Sequence, residues 1–225
     1  MRRVDLLLLD PGSLEADGAA WLPLLDGGER ARHERFRHPS DRAAFVAAHG
    51  LLRQSLTART PGTAPADWRF TSTPAGKPEL KGSRLRFNLS HCRELVAVAI
   101  TEDVELGVDV EPVDPRHATA DVARRVYGPA ELADLAAQPD EVRRVDRFFE
   151  RWTVKEAWVK ATGVGLDDDL PAFEVRLGDG LAVVERGDAR PWQFRWWTPK
   201  PGLKLALCVG TSEPLEVTPR WFSPA

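Results

Sequence analysis

Two carboxylate side chains stand two residues apart in the segment GVDVE, residues 107–111. On a β-strand, residues two apart point to the same face roughly 7 Å from each other, so Asp109 and Glu111 are expected side by side. Adjacent carboxylates repel each other unless they hold protons or share a cation. Oxygen ligands without His or Cys suit Mg²⁺ that also binds a substrate's phosphates. Taken alone, the motif is explained more simply as a solvated strand face that ends in a turn at Pro112.

A third carboxylate lies in the segment 141–162. The apolar positions of this segment define one face of a helix: Val142, Val145, Phe149, Trp152 and Val159. Glu156 falls on that face, where a carboxylate is costly unless it is paired or binds a metal. Lys160 follows four residues later on the same side. The sharper hypothesis is a third metal ligand beside the two strand carboxylates. The alternative is a plain Glu–Lys helical pair, worth roughly a few tenths of a kcal/mol.

Candidate phosphate contacts come from two further stretches. Residues 29–42 hold five arginines and three acids, an excess of +2 in a chain of net charge −3. The guanidinium fork suits phosphate, although an ordinary charged helix surface has the same composition. Lys77 lies between Gly and Pro on an exposed turn. Ser90 and His91 end a predicted strand, where a hydroxyl and an imidazole can meet a ligand, but a lone histidine more often makes a structural hydrogen bond.

Composition and absent motifs exclude several classes of protein. The 225 residues are 43% hydrophobic and 29% charged, which is typical of a globular chain. The mild acidity argues against nucleic acid as a partner. Cys92 and Cys208 are too few for a disulfide framework or a cysteine zinc site, and they fit the reducing cytoplasm. Residues 1–10 are predicted to be a buried strand, and no apolar stretch could span a membrane. Walker A, H-E-x-x-H, C-x-x-C and G-x-S-x-G motifs are absent.

The elements that must position these residues alternate between helix and strand. Helices are predicted over 29–59, 118–138 and 141–162, the last with Asp140 as its N-cap and Gly163 as its end; Glu150 and Arg151 are placed on its surface. Strands are predicted at 1–10, 85–90, 95–100, 105–111 and near 172–177, 181–185, 192–198, 203–209 and 215–218. The short polar link 101–104 predicts a hairpin. A helix followed by strands thus occurs twice, in an N-terminal half, 1–111, and a C-terminal half, 112–225.

Taken together and in order, five strings between about residue 30 and residue 166 resemble one family, the 4′-phosphopantetheinyl transferases. The similarity is to the long, surfactin-synthetase-activating type found with peptide and polyketide synthases. The strings are Arg35-Phe-Arg-His with Arg42 downstream, Gly76-Lys-Pro, Asn88-Leu-Ser-His, Gly107-Val-Asp-Val-Glu, and Trp152-Thr-Val-Lys-Glu-Ala-Trp-Val-Lys.

The resemblance implies a fold and a reaction. Long members of this family are α+β proteins, pseudo-dimers of two similar α+β halves that act as monomers, with coenzyme A and Mg²⁺ in the cleft between the halves. They transfer 4′-phosphopantetheine from coenzyme A to a serine of an acyl or peptidyl carrier protein and release adenosine 3′,5′-bisphosphate. The linking residues 113–130 would border the carrier, through apolar contact with a helix of an acidic carrier.

The resemblance also implies roles for the metal and catalytic residues. Asp109, Glu111 and Glu156 would hold Mg²⁺ on the pyrophosphate, with water at the position that Val110 cannot fill, and Lys160 would contact the pyrophosphate. The serine of the carrier is the nucleophile, so the enzyme needs only a base. Glu156 and a water bound to the metal are the two candidates, and the sequence leaves both open.

Coenzyme A contacts follow from the remaining strings. Lys77, Ser90 and His91 would bind coenzyme A, with His91 near the 3′-phosphate, and Arg32 and Arg35 would hold the nucleotide phosphates. Lys155 matches the family's motif as a further coenzyme A contact, although one helical step from Glu156 turns it toward another side.

Two other functions compete with transfer. One is a coenzyme A-binding module without catalysis, which loss of a metal carboxylate would have suggested; all three carboxylates are present. The other is a Mg²⁺-dependent nucleotide phosphohydrolase, which would need a water-activating residue for which the sequence has no motif. The sequence does not identify the carrier, the pathway or the tolerance for acyl-coenzyme A donors.

Overall fold

The computed structural model describes residues 1–14, 20–164, 174–178, 181–184 and 191–223. Within these ranges the α-helices are α1 (Gly27–Arg35), α2 (Pro39–Arg59), α3 (Ala120–Val126), α4 (Pro129–Ala136) and α5 (Glu141–Thr162). The strands are β1 (Arg2–Arg3), β2 (Asp5–Leu9), β3 (Thr71–Ser72), β4 (Pro78–Glu79), β5 (Leu85–His91), β6 (Val96–Glu102), β7 (Leu106–Pro112), β8 (Val175–Gly178), β9 (Leu181–Val184), β10 (Trp192–Trp197), β11 (Leu203–Gly210), β12 (Leu215–Glu216) and β13 (Pro219–Trp221). The predicted strands at 172–177 and 181–185 extend in part beyond the described residues.

Two sheets form the centre of the molecule. A four-stranded sheet has the order β13-β2-β6-β5, and a three-stranded sheet has the order β10-β11-β7. Alternate residues of β2, β6, β7 and β11 point into one shared core, which includes Leu6, Ala97, Val108 and Leu207. The opposite face of each sheet is covered by one long helix, α2 on the first and α5 on the second. The predicted α+β class is confirmed.

The strand that carries Asp109 and Glu111 does not pair as the sequence indicates. A hairpin with the preceding strand was expected because the polar link 101–104 is short, and this expectation is wrong. Instead β7 pairs antiparallel with β11, so that Asp109 lies opposite Ala206. Asp103 adopts a positive φ of 62° in the link, which carries the chain from the first sheet into the second. The division at 111/112 stays a prediction, and β7 is hydrogen-bonded to a later strand.

The predicted helix 118–138 is two helices, α3 and α4. Residues before a proline avoid the helical conformation, and the proline ring clashes with the preceding turn, so Pro129 can only begin a helix. Pro129 stands at the start of α4, where Glu131 accepts a hydrogen bond from the Gly128 N–H. No helix in the described part of the chain is long and apolar enough to cross a membrane.

Candidate active site

The site lies where β7 crosses α5. A Cβ atom built on Gly107 would stand 2.1 Å from the Ala157 carbonyl oxygen, so the two backbones touch at this point and only glycine fits. Residues two apart on β7 share a face, and this places Asp109 on the side of α5, where the residue is 2% exposed. Glu156 precedes Ala157 on the helix and is 7% exposed.

Asp109 and Lys160 form the ion pair at the centre of this crossing. The Lys160 ammonium lies 2.6 Å from Asp109 Oδ1 and also donates to Ser90 Oγ at 2.9 Å. The Ser90 hydroxyl donates to the same Asp109 oxygen at 3.0 Å. The other oxygen, Oδ2, is buried and meets no hydrogen-bond donor among the described residues. A buried carboxylate oxygen without a partner is costly, so this atom is open to a ligand.

Glu111 and Glu156 are the two carboxyl groups of the cluster whose pKa values are raised. Burial, followed by the charge of Asp109, raises the pKa of Glu111 to about 7, although the indole N–H of Trp152 donates to Glu111 Oε1 at 3.1 Å. Burial and the charge of Asp109 likewise raise the pKa of Glu156 to about 7. The three carboxylates therefore lie close enough to repel one another, and a proton or a cation relieves the repulsion.

The carboxylates do not form a closed metal site as they stand. Among the described residues, no group of three or more His, Cys, Asp or Glu side chains is arranged so that it could hold a metal ion. Two of the six carboxylate oxygens are engaged elsewhere: Asp109 Oδ1 by Lys160 and Glu111 Oε1 by Trp152. Binding of a cation by all three groups requires these side chains to rearrange.

One arginine and two histidines surround the ring of Phe45, beside this cluster. The guanidinium of Arg32 lies 5.7 Å from the Phe45 ring centre, and the rings of His49 and His91 lie 4.2 and 6.3 Å from it. Burial, then the charges of His49, Lys160 and Arg32, lower the pKa of His91 to about 4. The positive charges of Lys160 and Arg32 near His91 favour an anionic ligand, and the predicted residues Arg32 and His91 both lie next to the Phe45 ring.

Ser90 also holds the two sheets together, with a neighbour that sequence reasoning missed. Asn88 Oδ1 accepts a hydrogen bond from the Val108 N–H at 2.9 Å, and Ser90 Oγ accepts one from the Val110 N–H at 3.2 Å. Two side chains of β5 thus replace the backbone partners that β7 lacks on this edge. The alternation in residues 85–90 places Asn88 and Ser90 on the same face of the strand, a signal that could have marked Asn88.

The basic stretch 29–42 contains exposed arginines and one acidic residue, Glu29, that attaches α1 to α2. Arg32 and Arg35 are exposed at the end of α1. Glu29 holds this helix to α2, because it accepts hydrogen bonds from His49 and from the fully buried Arg53. Burial alone would raise the pKa of Glu29, but the hydrogen bond and charge of His49 and the charge of Arg53 lower it to about 2.

Lys155 lies apart from the carboxylate cluster. Its ammonium is 2.7 Å from Glu131 Oε2, and both side chains are 1% exposed. It also donates to the Val126 carbonyl at 2.8 Å. Burial lowers the pKa of Lys155, although the charge of Glu131 opposes the shift. The structure therefore assigns Lys155 to the packing of α5 against α3 and α4, and it does not bring this residue to the predicted coenzyme A contacts.

Two other predictions for α5 are wrong. Arg151 was placed on the surface, but its side chain is 4% exposed and pairs with Asp134 at 2.8 Å. Val142 was placed on the apolar face, but it is 76% exposed, and Glu141 and Arg143 beside it in the first turn of α5 are exposed as well. Glu150 is part-buried and pairs with Arg147 at 3.1 Å.

Lys77 is also held by the protein itself. Its ammonium donates to Glu105 Oε2 and to the carbonyl oxygens of Leu106 and Ala161. It thus touches the start of β7 and the end of α5, beside the cluster but not in it.

Fold and site together define a class of protein. An α+β chain places two buried carboxylates and one part-buried carboxylate opposite a lysine, near an arginine and a histidine. Carboxylates for a cation and cationic side chains for an anion are the parts that act on phosphate esters.

Comparisons identify the family within this class. The family model described as the 4′-phosphopantetheinyl transferase superfamily matches residues 105–208. A 4′-phosphopantetheinyl transferase of Bacillus subtilis is 32% identical over 185 residues, 80% of this chain and 80% of the relative. The 4′-phosphopantetheinyl transferase Sfp of Bacillus subtilis strain 168 is 28% identical over 206 residues, 90% of each chain. The chain belongs to the 4′-phosphopantetheinyl transferase superfamily, and the resemblance carried by the five strings is confirmed.

Among solved structures, the holo-(acyl-carrier-protein) synthase of Bacillus anthracis in complex with CoA (3′,5′-ADP) is similar with a TM-score of 0.42. The two chains are 19% identical, and the matched region covers 47% of this chain and 94% of the synthase chain.

Proposed function

We propose that the protein transfers 4′-phosphopantetheine from coenzyme A to a serine of an acyl or peptidyl carrier protein, with Mg²⁺, and releases adenosine 3′,5′-bisphosphate. The observation that carries the proposal is the crossing of β7 and α5, where Asp109, Glu111 and Glu156 face Lys160. Membership of the family supplies the reaction class. We further propose that it acts as a monomer in the cytoplasm.

Asp109, Glu111 and Glu156 are the residues that would hold Mg²⁺. Three features support the fit. All donors are carboxylate oxygens, and Asp109 Oδ2 is buried without a hydrogen-bond partner among the described residues. Burial, followed by the charge of Asp109, raises the pKa of both glutamates. When bound, the metal would stabilise negative charge on the pyrophosphate oxygens.

The cationic side chains supply the rest of the charge for the ligand. Lys160 is within reach of the same phosphates as the carboxylates because it already lies on Asp109, and its side chain is 30% exposed. Arg32 and His91 form the neighbouring pocket, where we place the nucleotide phosphates, with Arg35 at its exposed edge. Charges fixed before the reaction stabilise a transition state without the cost of reorganisation.

Glu156 and a water bound to the metal are the two groups that would accept the proton of the carrier's serine. Without the metal, burial and the charge of Asp109 raise the pKa of Glu156 to about 7, near the optimum for a base at neutral pH. Metal ligation and proton acceptance compete for this carboxylate. Glu156→Gln separates the two roles because an amide keeps an oxygen ligand but cannot accept the proton at neutral pH.

The direct test uses coenzyme A, Mg²⁺ and an apo carrier protein, followed by the intact mass of the carrier. Transfer predicts a gain of one phosphopantetheine group. An unchanged carrier with intact coenzyme A would favour the binding module, and cleaved coenzyme A with an unmodified carrier would favour the hydrolase. Asp109→Ala and Glu156→Ala are expected to abolish transfer, and wild-type rates in either would contradict the metal assignment. Glu150→Ala, which lies outside the cluster on the same helix, is the matched control and should retain nearly full activity.

We propose that the carrier binds along residues 113–130. Support comes from a cavity of about 340 Å³ that α3, α4 and α5 line with mostly apolar side chains. Arg124 and Arg144 stand at this cavity. An apolar hollow with arginines beside it suits an apolar side chain on an acidic helix.

A further inference from the structure

Lys77 has a position that its sequence context does not indicate. Between Gly76 and Pro78 it was expected on an exposed turn, open to a phosphate. In the structure its side chain is 13% exposed. The turn that carries it is closed on itself, since the Thr73 N–H donates to the Lys77 carbonyl at 2.9 Å and the Lys77 N–H donates to Thr73 Oγ1 at 3.1 Å. The side chain therefore leaves a rigid base and points into the protein.

All three donors of the Lys77 ammonium have acceptors in the protein. Glu105 Oε2 lies at 2.7 Å, the Ala161 carbonyl oxygen at 2.9 Å and the Leu106 carbonyl oxygen at 3.3 Å. An ammonium group has three N–H donors and no acceptor. A phosphate could be added only if one of these bonds were broken, and Leu106 and Ala161 are fully buried.

The acceptor on α5 is one that the helix cannot satisfy by itself. The last four carbonyls of a helix have no partner within it, and the C-terminal end carries partial negative charge. Ala161 is the second-last residue of α5, and Gly163, with φ of +71°, ends the helix. A Cβ on Gly163 would stand 3.6 Å from Lys77 Cδ, so the methylene stem of Lys77 passes over this glycine. Lys77 thus caps the end of α5.

The Leu106 carbonyl, which is the acceptor on β7, lies next to the point where β7 crosses α5. Leu106 precedes Gly107, where the backbones of strand and helix touch, and Asp109 follows two residues later. Ala161 follows Lys160 directly. One ammonium therefore joins the strand below Asp109 to the helix just beyond the lysine that pairs with Asp109.

We propose that Lys77 is a positioning residue: it clamps the last turn of α5 to the start of β7 and so sets the separation of Asp109 and Lys160. The inference rests on the proposed function for its catalytic consequence, while the clamp is a property of the protein without ligand. It gives the Lys77 ammonium a role other than the coenzyme A contact expected for it.

The test compares Lys77→Met, which keeps the stem and removes the donors, with Lys81→Met, an exposed lysine four residues along. Amide hydrogen exchange is measured first on the protein without coenzyme A. The clamp predicts exchange about tenfold faster or more in residues 105–107 and 160–163 of Lys77→Met, with no change in Lys81→Met. Unchanged exchange in these segments would overturn the proposal.

Kinetics and binding provide the second readout. A misplaced lysine predicts a kcat about 10- to 100-fold lower in Lys77→Met, with KM and directly measured Kd for coenzyme A within about threefold of wild type. A phosphate contact predicts the reverse: kcat near wild type and a Kd raised tenfold or more, a result that would also overturn the clamp. If wild type does not modify a carrier, the proposed function fails, while the exchange experiment still decides on the clamp.

A milder variant covers the case in which Lys77→Met does not fold. Glu105→Gln removes the charge from one of the three acceptors and leaves both carbonyls in place. It should show the same local pattern of faster exchange to a smaller extent, and unchanged exchange at 160–163 would again contradict the proposal.

Discussion

Lys155→Met is the variant that most sharply separates packing from ligand binding on α5. Lys155 and Glu131 are both 1% exposed and lie 2.7 Å apart. Removing one partner of a buried ion pair typically costs about 3–5 kcal/mol, because the other charge remains buried. For a chain of this size, each kcal/mol lowers the midpoint of thermal unfolding by about 2–4 °C. The expected fall is therefore about 6–20 °C.

Thermal and urea unfolding at pH 7 measure this effect, with Lys81→Met as the exposed control. The double variant Lys155→Met/Glu131→Gln should regain part of the loss, since it removes the Glu131 charge, for which Lys155→Met leaves Arg151, 3.6 Å away, as the cationic partner. Coenzyme A affinity of the folded fraction should stay within about threefold of wild type. Lys155→Met with wild-type stability and weakened coenzyme A binding would refute the packing role and restore the ligand contact implied by the family resemblance.

Three further predictions follow from the site and its supports. Gly107→Ala places a methyl group 2.1 Å from a backbone oxygen, so the free energy of unfolding should fall by about 3 kcal/mol and transfer should be lost. Gly82 lies in a turn at φ +75° with open space around it. The free energy of unfolding of the control Gly82→Ala should fall by only about 1 kcal/mol, and this variant should stay active. Glu29 has a pKa of about 2 against an ordinary 4.5, so the stabilisation it provides is present above pH 4.5 and is lost as the pH falls toward 2. Linkage gives about 3 kcal/mol, which solvent screening reduces to about 2 kcal/mol, as the expected difference in free energy of unfolding between wild type and Glu29→Gln at pH 7. Urea titrations measure this difference, and an equal difference at pH 7 and pH 2.5 would contradict the reasoning. Arg124→Glu should raise KM for an acidic carrier about tenfold while leaving KM for coenzyme A unchanged, and equal effects on both would argue against carrier docking at this cavity.

The sequence predicted the bounds and caps of α5 well. The helix was expected over 141–162 with Asp140 and Gly163 at its ends, and the structure has Glu141–Thr162 with those residues as caps. The four-residue spacing of Glu156 and Lys160 placed both on the side that meets β7. Such predictions succeed because spacing within one element and its caps depend on local geometry alone.

Pairing between elements is where the predictions failed. The expected hairpin at 101–104 rested on the length of the link, whereas β7 pairs with β11, almost a hundred residues later in the chain. Arg151 was placed on the surface because it is charged, but Asp134 and Glu131 on α4 make its burial tolerable. No rule based on spacing within one helix connects Asp134 or Glu131 with Arg151.

The sequence by itself determined the chemistry available to this protein: two carboxylates on one strand face, a carboxylate and a lysine on one helix face, and an order of strings that belongs to one family. Only the tertiary structure decided which protein groups the lysines contact. Lys160 reaches Asp109, whereas Lys77 and Lys155 are committed to acceptors on other elements. The physical reason is that side-chain type and spacing specify what a residue can bind, while the partner it binds depends on which distant backbone the packing brings within 3 Å.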